Sequence, residues 1–198
     1  MGNNTSQQQY IKDLVCVINS CNISYQIKGV VVLRHNKYSS SEIPRILSVI
    51  PTSSAFTMSM AQQHEISPDM PLISIEYNVT GLKPNSLHGF HIHESGDLRN
   101  GCDSLCAHYN PHNMKHGDLH DPYSHAGDLG NISSDMNGIA KGILYTNKFG
   151  LEDVVGRSMI IHEDADDLGK GPHDDSHITG HSGKRIGCGI LGRGKTCK

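Results

Sequence analysis

Gly89-Phe90-His91-Ile92-His93 is the stretch on which the reading of this chain turns. Side chains of an extended strand alternate between two faces, so the two imidazoles share one face while Phe90 and Ile92 share the other. One face packs and the other ligates. The same two-residue alternation recurs along most of the sequence, in short runs rich in Val, Ile and Tyr that are separated by Gly, Asn, Asp and Pro. It predicts strands at residues 14–18, 26–33, 72–80, 89–93, 138–145, 158–162 and 186–191. No dozen residues keep a helical period. Regular short strands with glycine-bearing turns predict an all-β fold, an immunoglobulin-like Greek-key sandwich or flattened barrel of about eight antiparallel strands.

Outside the strands the chain has four polar stretches. Residues 1–11 read as a tail. Residues 36–67, with many Ser, Pro and Met, read as a surface excursion between early strands. Residues 94–130 form the longest loop, and 164–184 a second. A loop of the first kind is unusual in a compact domain unless something ties it down. With 198 residues and 36% hydrophobic content, one core is expected, and residues 12–198 are read as a single domain. The net charge of -3 gives no basic footprint for a nucleic acid. No apolar run reaches a membrane span, and the first residues are polar and uncharged rather than a signal peptide, so a soluble cytoplasmic protein is expected.

Histidine occurs 14 times and tryptophan never, and seven of the histidines fall between His91 and His125. Clustering of that kind points to metal. His108, His116, His125 and Asp128 supply three imidazoles and a carboxylate, a closed tetrahedral set for zinc. Imidazole also suits copper, so His91, His93 and His162, with one shared member of the first set, form a candidate redox-metal site.

These residues stand in motifs that resemble the copper/zinc superoxide dismutase family. The matching stretches are Leu87-His88-Gly89-Phe90-His91-Ile92-His93-Glu94, Asn100-Gly101-Cys102, His108-Tyr109-Asn110-Pro111, Lys115-His116-Gly117 and His125-Ala126-Gly127-Asp128-Leu129-Gly130-Asn131. The run Ile161-His162-Glu163-Asp164-Ala165-Asp166 and the run Arg185-Ile186-Gly187-Cys188-Gly189 complete them. The resemblance spans about residues 12–193 and is weakest before residue 70. It implies dismutation of superoxide to oxygen and hydrogen peroxide as antioxidant defence, with one copper and one zinc per subunit. It implies copper on His91, His93, His108 and His162, and zinc on His108, His116, His125 and Asp128, with His108 as the bridging imidazolate and proton donor. By the same resemblance Asp166 bonds one histidine of each set, Arg185 captures the anion, and Cys102 pairs with Cys188, fastening the long loop. A two-fold homodimer is implied as well.

The chain also departs from the family pattern. Ile178 stands where a steering lysine is expected, leaving Lys184 either to substitute for it or to be a solvated surface charge. Lys184 and Ile186, rather than prolines, flank Arg185, which favours activation independent of a copper chaperone. Cys16 reads as a buried strand residue. Cys21, Cys106 and Cys197 have no counterpart, and Cys106 is expected to be an inert free thiol. His88 reads as structural. Met1-Gly2-Asn3-Asn4-Thr5-Ser6 fits a myristoylation pattern at Gly2, or matches by chance in a polar tail that lacks a polybasic patch. Two rival functions are disfavoured: a copper-delivery domain generally displays Cys-x-x-Cys, which is missing here, and an inactive decoy should have lost a copper ligand or the arginine.

Overall fold

Alternation of apolar and polar side chains builds the frame. In the computed structural model, which describes residues 11–36 and 72–195, β1 (Asp13–Ser20) turns Leu14, Cys16 and Ile18 fully inward and leaves Val17 exposed. In β2 (Lys28–Asn36) Val31 and Leu33 are buried, and in the neighbouring β3 (Leu72–Thr80) Ile73, Ile75 and Val79 are buried beside them. β4 (Leu87–His93) and β7 (Ser158–His162) are buried nearly throughout, since loops cover the face that the core does not. β5 (Asp128–Ser133), β6 (Ala140–Thr146) and β8 (Arg185–Arg193) complete the set.

All neighbours are antiparallel, in the order β5-β4-β7-β8-β1-β2-β3-β6. The two end strands, β5 and β6, lie against each other, so the sheet is a nearly closed barrel and the expected all-β class holds. Closure leaves little open edge. Among the described residues the main core cluster runs from Leu14 through Phe90 and Ile92 to Leu191, and a smaller one holds Cys102, Leu105, Ile160 and Cys188. A one-turn helix α1 (Leu151–Val154) plugs one end with Leu151 and Val154, and a second, α2 (Ser176–Thr179), lies in the loop between β7 and β8.

The sequence pattern locates seven strands, and the eighth, β5, lies where the long loop was expected to end. Its sequence, Asp-Leu-Gly-Asn-Ile-Ser, has the composition of a turn, and Gly130 has φ +76°, a conformation that favours glycine. Pairing with β4, with a register shift between Gly89 and His91, makes it a strand. Most of the expected excursion at 36–67 and of the tail at 1–11, including Gly2, lies outside the described residues, as does Cys197. Among the described residues no helix is long and apolar enough to cross a membrane.

Candidate metal centre

The β4–β5 loop folds back across the end of β4 and carries its histidine there. Tyr109 N–H donates to the Ile92 carbonyl at 2.8 Å, Gly127 N–H to Tyr109 at 2.8 Å, and Ile92 N–H to Gly127 at 2.9 Å. These three bonds set His108 opposite His93 in an isolated β-bridge. A side chain at position 127 would overlap the Ile92 carbonyl, so the close approach requires glycine. His162 ends β7 beside β4, and its cross-strand partner is Arg185, the first residue of β8.

The structure brings His91, His93, His108 and His162 together, each with one ligating nitrogen within 4.8 Å of the others. All four rings are buried. In each ring one nitrogen is engaged outward: His91 Nε2 with Asp166 Oδ2 at 2.6 Å, His93 Nδ1 with the Cys106 carbonyl at 2.9 Å, His108 Nδ1 with Asp128 Oδ1 at 2.9 Å, and His162 Nδ1 with the Gly183 carbonyl at 3.2 Å. The other nitrogen of each, Nδ1 of His91 and Nε2 of His93, His108 and His162, is buried without a hydrogen-bond partner. Leaving a buried polar atom unsatisfied costs about 1–3 kcal/mol. Four such atoms in one place suit a cation that accepts four nitrogen ligands, so the donor set fits a metal.

A second group shares His108. The Nδ1 atoms of His108, His116 and His125 lie 2.9, 3.0 and 3.2 Å from one oxygen of Asp128. Its other oxygen accepts the backbone N–H groups of Gly117 at 3.1 Å and His125 at 3.0 Å. Three imidazoles and one anchored carboxylate fit a tetrahedral closed-shell cation. Desolvation alone would raise Asp128, but hydrogen bonds from the three histidines hold it well below the usual carboxylate range.

Asp166 lies between the groups, taking His91 Nε2 on one oxygen and His116 Nε2 at 2.8 Å on the other. Asn131 of β5 clasps the Asp166 backbone, donating from its amide to the carbonyl at 2.9 Å and accepting the N–H at 2.7 Å. Gly180, at φ +68°, leaves room for the carboxylate, because a side chain there would overlap both Asp166 and His116. Burial depresses His116, yet its bonds to Asp128 and Asp166 prevail and raise it to about 9. Burial and neighbouring imidazoles push His91 and His93 well down. Burial also lowers His108, and it takes His162 to about 4.

Arg185 is braced by carbonyls, donating from Nη1 to Cys102 at 2.7 Å and from Nη2 to Cys106 at 2.5 Å. Lys184 and Ile178 are both exposed. His88 stands apart from both groups and bonds the His162 carbonyl at 2.9 Å. Cys16 is a buried thiol and Cys106 an exposed one. Cys102 is within bonding distance of Cys188, and also of Cys21.

The roles of Asn131, Gly180, Lys148 and Cys21 were not readable from sequence. Lys148 is drawn down to about 8 by burial, and its ammonium donates to the Ser124 hydroxyl and, at 3.2 Å, to the Asp118 carbonyl beneath the second group. No spacing rule links these residues to the histidines; only the folded loops bring them there.

The family model described as copper/zinc superoxide dismutase matches residues 57–191. A Cu-Zn superoxide dismutase of Paramecium bursaria Chlorella virus 1 is 47% identical over 126 residues, covering 62% of this chain and 67% of the relative. One of Candida albicans is 43% identical over 139 residues, covering 69% and 88%. Among solved structures, the crystal structure of the clock protein EA4 superposes with a TM-score of 0.70 at 29% identity, covering 92% of this chain and 94% of that one.

Proposed function

The chain belongs to the copper/zinc superoxide dismutase family, and from that premise we propose that His91, His93, His108 and His162 hold copper while His108, His116, His125 and Asp128 hold zinc. It is an oxidoreductase acting on superoxide, with copper and zinc as its metals. In the finer reading His108 is the imidazolate shared by both ions. The observation that carries it is the ring of four buried, unpartnered nitrogens, one on each proposed copper ligand.

Bound copper supplies a one-electron couple that oxidises one superoxide and reduces the next, while zinc supplies charge without redox change. The remaining chemistry belongs to the chain. Asp166 and the carbonyls of Cys106 and Gly183 fix the outer nitrogens of His91, His93 and His162, which sets the tautomer of each ring and aims its inner nitrogen. Arg185 docks the anion: its Nη1 and Nη2 donate to the carbonyls of Cys102, Asp103 and Cys106, which holds the guanidinium plane still, and its remaining N–H groups serve charge-assisted bonds. His108 would take a proton from solvent at Nε2 when that nitrogen is free of metal, and pass it to the peroxide product.

A homodimer, copper loading without a dedicated chaperone, and the treatment of residues 12–198 as one domain belong to the same proposal. Light scattering checks the first, and loss of active enzyme in cells lacking the chaperone would refute the second. The direct test is superoxide decay by metal-reconstituted protein beside His162→Ala. Removing one of four nitrogens should abolish the catalysed decay, and equal decay in both proteins would remove the copper assignment.

A further inference from the structure

Three sulfurs meet where the long loop is fastened to the barrel. Cys21 follows the last residue of β1, Cys102 lies in the 3-10 turn Gly101–Leu105 of the β4–β5 loop, and Cys188 is in the middle of β8. Their Sγ atoms all lie within 4.8 Å of one another. Cys102 is within bonding distance of both others, with Cα separations of 5.6 Å to Cys21 and 6.0 Å to Cys188. A sulfur carries only one disulfide, so the two pairings exclude each other. Both separations fall within the range of about 4.4–6.8 Å that disulfides span, so exchanging partners requires no backbone movement.

The three sulfurs differ in access. Cys102 and Cys188 are 3% and 8% exposed, packed against Leu105 and Ile160. Cys21 is partly exposed on the wall of a surface cavity that also carries Tyr25, Lys184 and Arg185. Its N–H donates to the Ile186 carbonyl at 3.0 Å, which holds it beside β8 two residues before Cys188. Thiol reactivity needs exposure, and nearby cations favour the thiolate. Of the three, Cys21 is the most exposed.

We propose that Cys21, Cys102 and Cys188 form a thiol–disulfide exchange site, in which Cys102 bonds alternately to the other two and Cys21 trades with low-molecular-weight thiols and disulfides from solvent. Starting from three thiols, Cys21 attacks a small disulfide; its S–S bond breaks, one small thiol leaves, and a mixed disulfide remains on Cys21. Cys102 then attacks the Cys21 sulfur and expels the second small thiol. Cys188 attacks Cys102, forming the Cys102–Cys188 bond and returning Cys21 as a thiol. Each attacking thiol gives up a proton and each departing thiolate regains one. Two electrons pass from two protein thiols to one small disulfide, and the reverse sequence reduces the bond. Under either pairing the Cys102 carbonyl remains available to Arg185.

The test uses the full-length, metal-loaded protein equilibrated across ratios of glutathione to glutathione disulfide, acid-quenched, alkylated and mapped by mass spectrometry. Cleavage before Asp103 separates Cys102 from Cys106, and fragment spectra distinguish Cys16 from Cys21. Both Cys21–Cys102 and Cys102–Cys188 linked peptides are expected, together with a glutathione adduct on Cys21. Cys21→Ser should lose the first peptide and the adduct, and should regain the Cys102–Cys188 bond more slowly after reduction. A wild-type Cys21 that stays a free thiol at every ratio, or a Cys21→Ser variant that reoxidises at the wild-type rate, overturns the proposal.

Discussion

Asp166 accepts from His91 through one carboxylate oxygen and from His116 through the other, so its placement sets the tilt of two rings that belong to different ligand groups. It is itself held by Asn131 on both backbone polar groups and by the Leu168 N–H on its side chain at 2.7 Å. Replacing it with asparagine keeps the shape but makes one end a donor, which cannot serve a ring that must also donate. Losses of about 10–100-fold in metal affinity are typical when such an outer partner is removed. Asp166→Asn is therefore expected to weaken binding at both ions by that order in a chelator competition. Unchanged affinity for both would show that the rings are oriented by something else. Gly180 owes its role to the same carboxylate, because only a residue without a side chain leaves it room.

Among the elements, β1 and β3 were legible because the two-residue period is written directly in them, and β7 because it is a short continuous apolar run. β5 was not. Its pairing depends on β4, and its glycine and carboxamide serve Gly130 geometry and the Asp166 clasp rather than a core pattern. The two loops were legible as loops but not as shapes. That His108 returns to the end of β4 depends on the exchange of bonds among Ile92, Tyr109 and Gly127, which no local propensity encodes. Arg157 adds to this, stacking its guanidinium 4.0 Å above the Tyr109 ring and donating to the Glu94 carbonyl at 2.7 Å. The ligand set could be proposed from sequence through motif resemblance, whereas Cys21 could not be tied to Cys102 across 81 residues by any spacing.

At the scale of the whole molecule, the histidine cluster makes the stability of the metal-free protein depend on pH from two sides. His162 titrates near 4 when folded, against 6.5 as its ordinary value, and His91, His93 and His108 shift the same way. Between pH 6.5 and 4 the unfolded chain therefore binds more protons than the folded one, and stability falls as the pH drops. His116 acts oppositely: raised to about 9, it contributes fully below pH 6.5 and loses that contribution as the pH climbs through 9. Thermal unfolding of the metal-free protein should accordingly be most resistant near pH 6.5, with the midpoint declining from there toward pH 4 and toward pH 9. A midpoint that rises steadily from neutrality down to pH 4.5 would contradict the burial of these rings as neutral groups.

His108 faces two ligand groups at once, with Nδ1 toward Asp128 and Nε2 toward the other three histidines. Anomalous diffraction from metal-loaded crystals, collected on either side of the copper and zinc absorption edges, tests it most directly. Two peaks of different element are expected, one on each side of the His108 ring and in contact with its two nitrogens. A single peak under saturating metal, or two peaks of which one does not touch His108, would contradict it.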